Sequence, residues 1–191
     1  MRTSSISRKT KETDISLSFC LDGGEISVST GVGFFDHMLT AFAVHGGFGL
    51  TVKVCGDLDV DCHHTIEDTG IVLGQAIKKA VGDKLGIARF GSSYVPMDEA
   101  LGFCALDISN RAYLVFDAAF TAPMIGSYDT QMSEEFFRAV ATNAGITLHL
   151  KCEYGKNDHH IVEALYKAFA RALKMAVKIE GDTVLSSKGV L

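Results

Sequence analysis

Two stretches of this chain share one alternation of apolar and polar positions. Gly49-Leu50-Thr51-Val52-Lys53-Val54 aligns without a gap on Gly145-Ile146-Thr147-Leu148-His149-Leu150, 96 residues further on. A period of two is the pattern of a half-buried strand. Each strand follows an apolar helical stretch, Phe34 to Val44 in the first case and Phe136 to Ala144 in the second. Each precedes, across a polar turn, a helical segment running to about Val81 or Val177. Ile66, Ile71, Leu73 and Ile77 can line a buried face of the first such helix, and Leu165, Phe169, Leu173 and Val177 that of the second. Strand-like runs lie upstream: Ile15 to Leu21 and Glu25 to Thr30, then Leu101 to Ile108 and Ala112 to Phe120. The pattern predicts an α+β fold, a tandem repeat of two similar strand-rich half-domains, each a sheet packed against helices. The halves span 1–86 and 87–191, meet near Leu85 to Phe90 and form one compact body.

The two later helices open on the same motif. His63-His64-Thr65-Ile66-Glu67 and His159-His160-Ile161-Val162-Glu163 both read His-His-x-x-Glu, again 96 residues apart, and hold four of the seven histidines. On a helix, positions i and i+4 lie ~40° apart and i and i+3 ~60° apart. Glu67 can therefore join either His63 or His64. The adjacent histidines diverge by ~100° and are placed to serve two ions rather than one. Imidazole and carboxylate without thiolate suit Mn, Fe, Zn or Ni.

Composition narrows the function class. With 191 residues, 47% of them hydrophobic, the chain can bury a substantial core. The net charge is −5 and no Lys/Arg run interleaves with aromatics, so nothing supports nucleic-acid binding. No stretch approaches a membrane span, and the N-terminal segment lacks the apolar run of a signal peptide. Five cysteines without a CxxC pair fit reduced thiols in the cytoplasm.

Other residues are candidates singly. His37, beside Asp36 and nearby glycines, is a candidate ligand at the start of an apolar helix. His45 ends that helix, where a cation complements the dipole. Asp61 and Asp158 immediately precede the paired histidines, so each can cap its helix or accept a hydrogen bond from a ligating imidazole. Cys62 adjoins His63, but its counterpart is Asp158, which argues against a symmetric role. Arg89, Arg111, Lys167 and Lys188 are the cations to watch. The tail Ser186-Ser187-Lys188-Gly189 offers hydroxyls, an ammonium and free backbone to a phosphate.

Several segments taken together resemble the imidazoleglycerol-phosphate dehydratase family. They are Phe35-Asp36-His37-Met38-Leu39, Cys62-His63-His64-Thr65-Ile66-Glu67-Asp68, Pro96-Met97-Asp98-Glu99-Ala100-Leu101, Ser127-Tyr128-Asp129-Thr130-Gln131, Asn157-Asp158-His159-His160-Ile161-Val162-Glu163-Ala164 and the Ser-Ser-Lys-Gly tail. The resemblance covers nearly the whole chain in order. It implies dehydration of imidazole glycerol phosphate to imidazole acetol phosphate and water in histidine biosynthesis. It also implies two Mn²⁺ per subunit, in sites built between the subunits of a 24-subunit homo-oligomeric shell. By matching positions, one ion would take His37, His64, His159 and Glu163. The other would take His63, Glu67, His160 and Glu135, where many relatives carry histidine. Asn110, Ala112 and Leu185 are further departures, at positions that form turns.

The chemistry implied by the resemblance explains the metals. The neighbouring C–H of the substrate is not acidic, so ordinary carbonyl-assisted elimination is closed. Ions on the imidazole nitrogens would stabilise an imidazolate, which expels hydroxide to give a diazafulvene. Glu12 is expected to remove the C2 proton as general base, with Glu67 or Glu163 as the other candidate catalytic carboxylates. Glu12, His37, His45, His63, Glu67 and His159 are the expected substrate contacts near the imidazole and glycerol parts. Arg89, Arg111, Lys167, Ser186, Ser187 and Lys188 are expected on the phosphate side. The His-His-x-x-Glu motif alone also allows a metal-dependent hydrolase, which a phosphatase assay on common phosphomonoesters would separate from a dehydratase, or a metal-storage protein, which gives no reason for Arg89, Arg111 and Lys188. The length leaves no room for an additional phosphatase domain, so the dehydratase is expected to be monofunctional.

Overall fold

The computed structural model describes residues 1–189. The first sheet comprises β1 (Thr3–Lys9), β2 (Thr13–Cys20), β3 (Ile26–Ser29) and β4 (Gly49–Gly56), in the order β1-β2-β4-β3. The second comprises β5 (Phe90–Met97), β6 (Ala100–Ile108), β7 (Tyr113–Asp117) and β10 (Ile146–Tyr154), in the equivalent order β5-β6-β10-β7. In each sheet three strands pair antiparallel in series, and the last neighbour, β3 or β7, joins parallel. Helices α1 (Gly33–Gly46) and α2 (His63–Val81) belong to the first half, and α3 (Met132–Ala144) and α4 (Asp158–Ala176) to the second. The fold is the expected α+β repeat.

The sheets are amphipathic because alternate residues face opposite sides. On β2, Thr13, Ile15, Leu17 and Phe19 point inward, and on β6 Ala100, Gly102, Cys104, Leu106 and Ile108 do so. Helix α2 covers the inner face of the first sheet and α4 that of the second, while α2 packs on α3 and α1 on α4 across the halves. Small residues set these distances. A Cβ on Gly74 of α2 would lie 2.7 Å from the Val140 carbonyl oxygen, and one on Gly91 of β5 would lie 2.0 Å from that of Ala172. One apolar core runs through both halves. Ile71, expected in that core, is only half-buried.

The repeat has an uneven register. Strands β1, β2 and β3 begin 87 residues before β5, β6 and β7. Burial along α1 recurs along α3 at an offset of 98, from Met38, Leu39 and Phe42 to Phe136, Phe137 and Val140. The left-handed capping glycines Gly47 and Gly145 keep the same offset. The ladders keep it as well, since Leu17 faces Val52 and its counterpart Cys104 faces Leu150. The ungapped 96-residue strand alignment is therefore two positions off. Alternation hid the slip, because a shift of two preserves which side each residue faces. The offset becomes 96 only at the paired histidines. The second half gains its extra length between β7 and α3, where residues 118–131 carry the short hairpin β8 (Met124–Ile125) and β9 (Tyr128–Asp129). Among the described residues no helix is long and apolar enough to cross a membrane.

Candidate metal and substrate site

Helix α4 starts at Asn157, whose side chain accepts the backbone N–H groups of His159 (2.9 Å) and His160 (3.4 Å). Asp158 is not the cap. Its carboxylate accepts the backbone N–H groups of Thr121 (3.0 Å) and Ala122 (2.6 Å) and so ties down the 118–131 segment. Asp61 accepts the His63 N–H at 2.7 Å. Neither aspartate hydrogen-bonds an imidazole. The buried thiol of Cys62 turns toward the Asp129 N–H, 3.5 Å away, rather than toward a histidine.

Four histidine environments follow from the two motifs. The tightest brings His37 of α1 together with His159 and Glu163 of α4. Glu163 Oε2 lies 3.5 Å from His37 Nε2 and 3.3 Å from His159 Nε2. Possible ligand atoms of all three residues lie within 4.8 Å of one another, the one such group among the described residues. The ring of Phe34 stands edge-on to His159 at 4.8 Å and to His37 at 6.5 Å, walling the group on one side. Lys167 Nζ holds the other Glu163 oxygen at 2.6 Å. Burial alone would raise the Glu163 pKa, but the Lys167 hydrogen bond and the neighbouring charges outweigh it and keep the carboxyl below its ordinary value. His45 shares this neighbourhood, and partial burial followed by the Lys167 charge pushes it down.

The repeat image of that group is His63, Glu67 and Glu135. His63 Nε2 lies 3.4 Å from Glu67 Oε2. Through the 98-residue offset of the helices, Glu135 of α3 occupies the place that His37 holds on α1. Glu135 and His63 line one cavity of about 610 Å³, walled also by Phe120, Thr121 and Thr130 of the 118–131 segment. Within the chain, Glu135 lies 3.5 Å from Arg138.

His64 and His160 point elsewhere. His64 Nδ1 is 3.0 and 3.2 Å from the two carboxylate oxygens of Asp57, and its Nε2 is 3.8 Å from Glu12 Oε1. His160 Nδ1 is 2.7 Å from Glu99 Oε2, with Nε2 3.6 Å from Asp98 Oδ2. These carboxylates raise both imidazoles, Asp57 acting chiefly on His64 and Glu99 on His160. Glu99 in turn falls to about 2, first through His160 and then through the Asn157 N–H. Asp57 and Glu99 are the residues that sequence reasoning missed as partners of imidazoles. The signal for Glu99 was the equivalence of the β1–β2 and β5–β6 turns, which places it opposite Glu12 in the repeat; Asp57, in the loop between β4 and α2, had none.

The expected phosphate-side cations fall into two groups. Arg89 grips Asp107 through Nε (2.7 Å) and Nη2 (3.0 Å) and donates through Nη1 to the Leu185 carbonyl (2.7 Å). Arg111 reaches the same aspartate at 3.3 Å. Arg89 thereby holds the start of the tail, in which Ser186 is half-buried, Ser187 and Lys188 are exposed, and the Lys188 N–H donates to Ser186 Oγ. Lys167 lies apart from them, with Glu163.

Comparison with known proteins is consistent across sequence and structure. The family model described as imidazoleglycerol-phosphate dehydratase matches residues 30–173. The imidazoleglycerol-phosphate dehydratase of Acetivibrio thermocellus is 61% identical over 191 residues, covering 97% of each chain. That of Methanosarcina mazei is 60% identical over the full length of both. The crystal structure of the Staphylococcus aureus enzyme superposes with a TM-score of 0.85 at 41% identity, covering 93% of this chain and 99% of that one. The Pyrococcus furiosus enzyme, solved in complex with (S)-C348, gives 0.86 at 38% identity, covering 97% and 100%.

Proposed function

This chain belongs to the imidazoleglycerol-phosphate dehydratase family, a lyase of histidine biosynthesis, and we propose that it works with two manganese ions held between subunits. The observation that carries the reading is the His37–His159–Glu163 group, with its ligand atoms within 4.8 Å, and its image at His63, Glu67 and Glu135. The donor set fits the metal: imidazole and carboxylate oxygen without thiolate suit a divalent ion of intermediate hardness. His64 would complete the first set and His160 the second, each from a neighbouring subunit of a large homo-oligomer, 24 subunits by family resemblance. Glu135 makes the second set richer in carboxylate than the first.

Bound there, the ions would act as Lewis acids on the two imidazole nitrogens of the substrate and favour loss of the hydroxyl from the attached carbon. Glu12, half exposed on the β1–β2 turn and 3.8 Å from His64 Nε2, is placed to take the C2 proton of substrate held beside that ring. Glu67 and Glu163 act as ligands. Lys167 pairs with Glu163 and its charge acts on His45, so His45 would meet the glycerol part of the substrate and Lys167 its phosphate side. Arg89, Arg111, Ser186, Ser187 and Lys188 would receive the phosphate, with Asp107 fixing both guanidinium groups. The free cysteines support a reducing compartment such as the cytoplasm.

The test is a coupled metal and activity assay. Protein stripped with chelator, with metal loss verified, should fail to convert imidazole glycerol phosphate and should regain turnover on adding Mn²⁺. Uptake of two ions per chain without dehydration would overturn the assignment of the activity to this site. Full turnover by metal-free protein would overturn the two-ion reading.

A further inference from the structure

The turns β1–β2 and β5–β6 are equivalent by strand register. Lys9 pairs with Asp14 across the first, and Pro96 with Leu101 across the second, 87 residues on in each case. Glu12 and Glu99 hold the same place in the repeat, and each reaches the second histidine of its half's motif. They reach opposite nitrogens of it. Glu12 stands 3.8 Å from Nε2 of His64, whereas Glu99 stands 2.7 Å from Nδ1 of His160.

The connections ahead of the helices explain the difference. Between β4 and α2 the chain runs through residues 57–62, which begin with Asp57, and this carboxylate takes Nδ1 of His64. The backbone N–H of Asp57 also donates to the Glu12 carbonyl at 3.1 Å, fixing the turn against the loop. Between β10 and α4 only residues 155–157 remain, Gly155-Lys156-Asn157, with no acid among them. The short loop instead aims the Lys156 and Asn157 N–H groups at Glu99 Oε1, at 3.2 and 2.7 Å. That leaves the other oxygen fixed beneath His160.

We infer that Glu99 is a positioning residue: it holds His160 by Nδ1 so that Nε2 is presented as a donor, doing for the second half what Asp57 does for the first. The same repeat position thus carries a half-exposed acid in one half and an imidazole anchor in the other. A carboxylate on the far nitrogen of a ligating histidine fixes its tautomer and ring angle, and losing it typically weakens metal binding about 10–100-fold. The inference rests on the two-ion reading above.

The test uses the intact protein loaded with Mn²⁺, comparing wild type, Glu99→Gln and Glu99→Ala by Mn²⁺ titration with electron paramagnetic resonance and by thermal melting of the metal-free form. The Gln amide oxygen can still accept the two backbone N–H groups but carries no charge. Glu99→Gln should therefore melt close to wild type while one of its two ions binds about 10–100-fold more weakly. Glu99→Ala should lose melting temperature as well. Asp57→Asn should weaken the other ion. Two ions held by Glu99→Gln with wild-type affinity would reduce Glu99 to a backbone cap and overturn this inference alone. Wild type that takes up no Mn²⁺ would overturn the two-ion reading and this inference with it.

Discussion

Glu12 is the residue on which the proposed chemistry turns, and little in the chain restrains it. Its backbone N–H is held by Thr10 Oγ1 at 3.1 Å, while the carboxylate stays half exposed. A group that must take a proton and give it up benefits from such freedom. Glu12→Gln keeps the size and the turn but removes the base. Turnover should fall about 10²–10⁴-fold, with Mn²⁺ content and melting temperature near wild type. Unchanged turnover would remove Glu12 from the mechanism. At this scale the ligand types were legible, because His-His-x-x-Glu places donors on one helical turn. Their partners were not. Asp61 and Asp158 looked like the acceptors because they are adjacent in sequence. The actual acceptors, Asp57 and Glu99, come from a loop and a hairpin that only the folded sheet brings to the rings.

At the scale of elements, the site depends on how closely α4 lies on its sheet. Gly102 of β6 faces the Ala164–Leu165 backbone, and a Cβ there would lie 2.7 Å from the Ala164 carbonyl carbon. Gly102→Ala must push α4 outward, and His159, His160 and Glu163 ride on the same helix. Overpacking of this kind costs about 1–3 kcal/mol. The urea midpoint should drop and Mn²⁺ affinity should weaken together, whereas Gly181→Ala, where nothing lies within 4 Å of the added atom, should change neither. A Gly102→Ala protein with wild-type stability and affinity would mean that α4 can shift without consequence. The long helices and inner strands were readable because they bury one face. Strand β1 was not, since Thr3-Ser4-Ser5-Ile6-Ser7-Arg8-Lys9 buries only Ser4 and owes its place to pairing with β2 at the sheet edge. Strand β5 was hidden similarly, with Gly91 and Pro96 inside an edge strand.

At the scale of the whole molecule, one chain gathers three candidate ligands at one site and holds His64 and His160 on carboxylates elsewhere. On the proposed two-ion reading each ligand set takes a histidine from a second copy, so ion binding and assembly should be linked. Removing Mn²⁺ with chelator should shift sedimentation toward smaller species, and adding it back should restore the large form. An assembly equally stable with and without metal would show that other contacts hold the subunits. The sequence carried the ligand types and the repeat, but a single chain's periodicity holds no information on which copy faces which.

The cross-packing of α2 on α3 and α1 on α4 has a consequence for descent. A half alone would expose the apolar flanks of both its helices, so an ancestor of half this length could persist only as a pair of identical chains. In such a pair every inherited change appears on both sides at once. Within a single chain that constraint is lifted, and the two halves do differ. Only one half carries the 118–131 hairpin, only one leaves the acid of its first turn half exposed, and only one has a carboxylate, Glu135, where the other has the imidazole of His37. The equivalent strand orders keep the symmetry, and a single chain leaves each side free to carry its own residues.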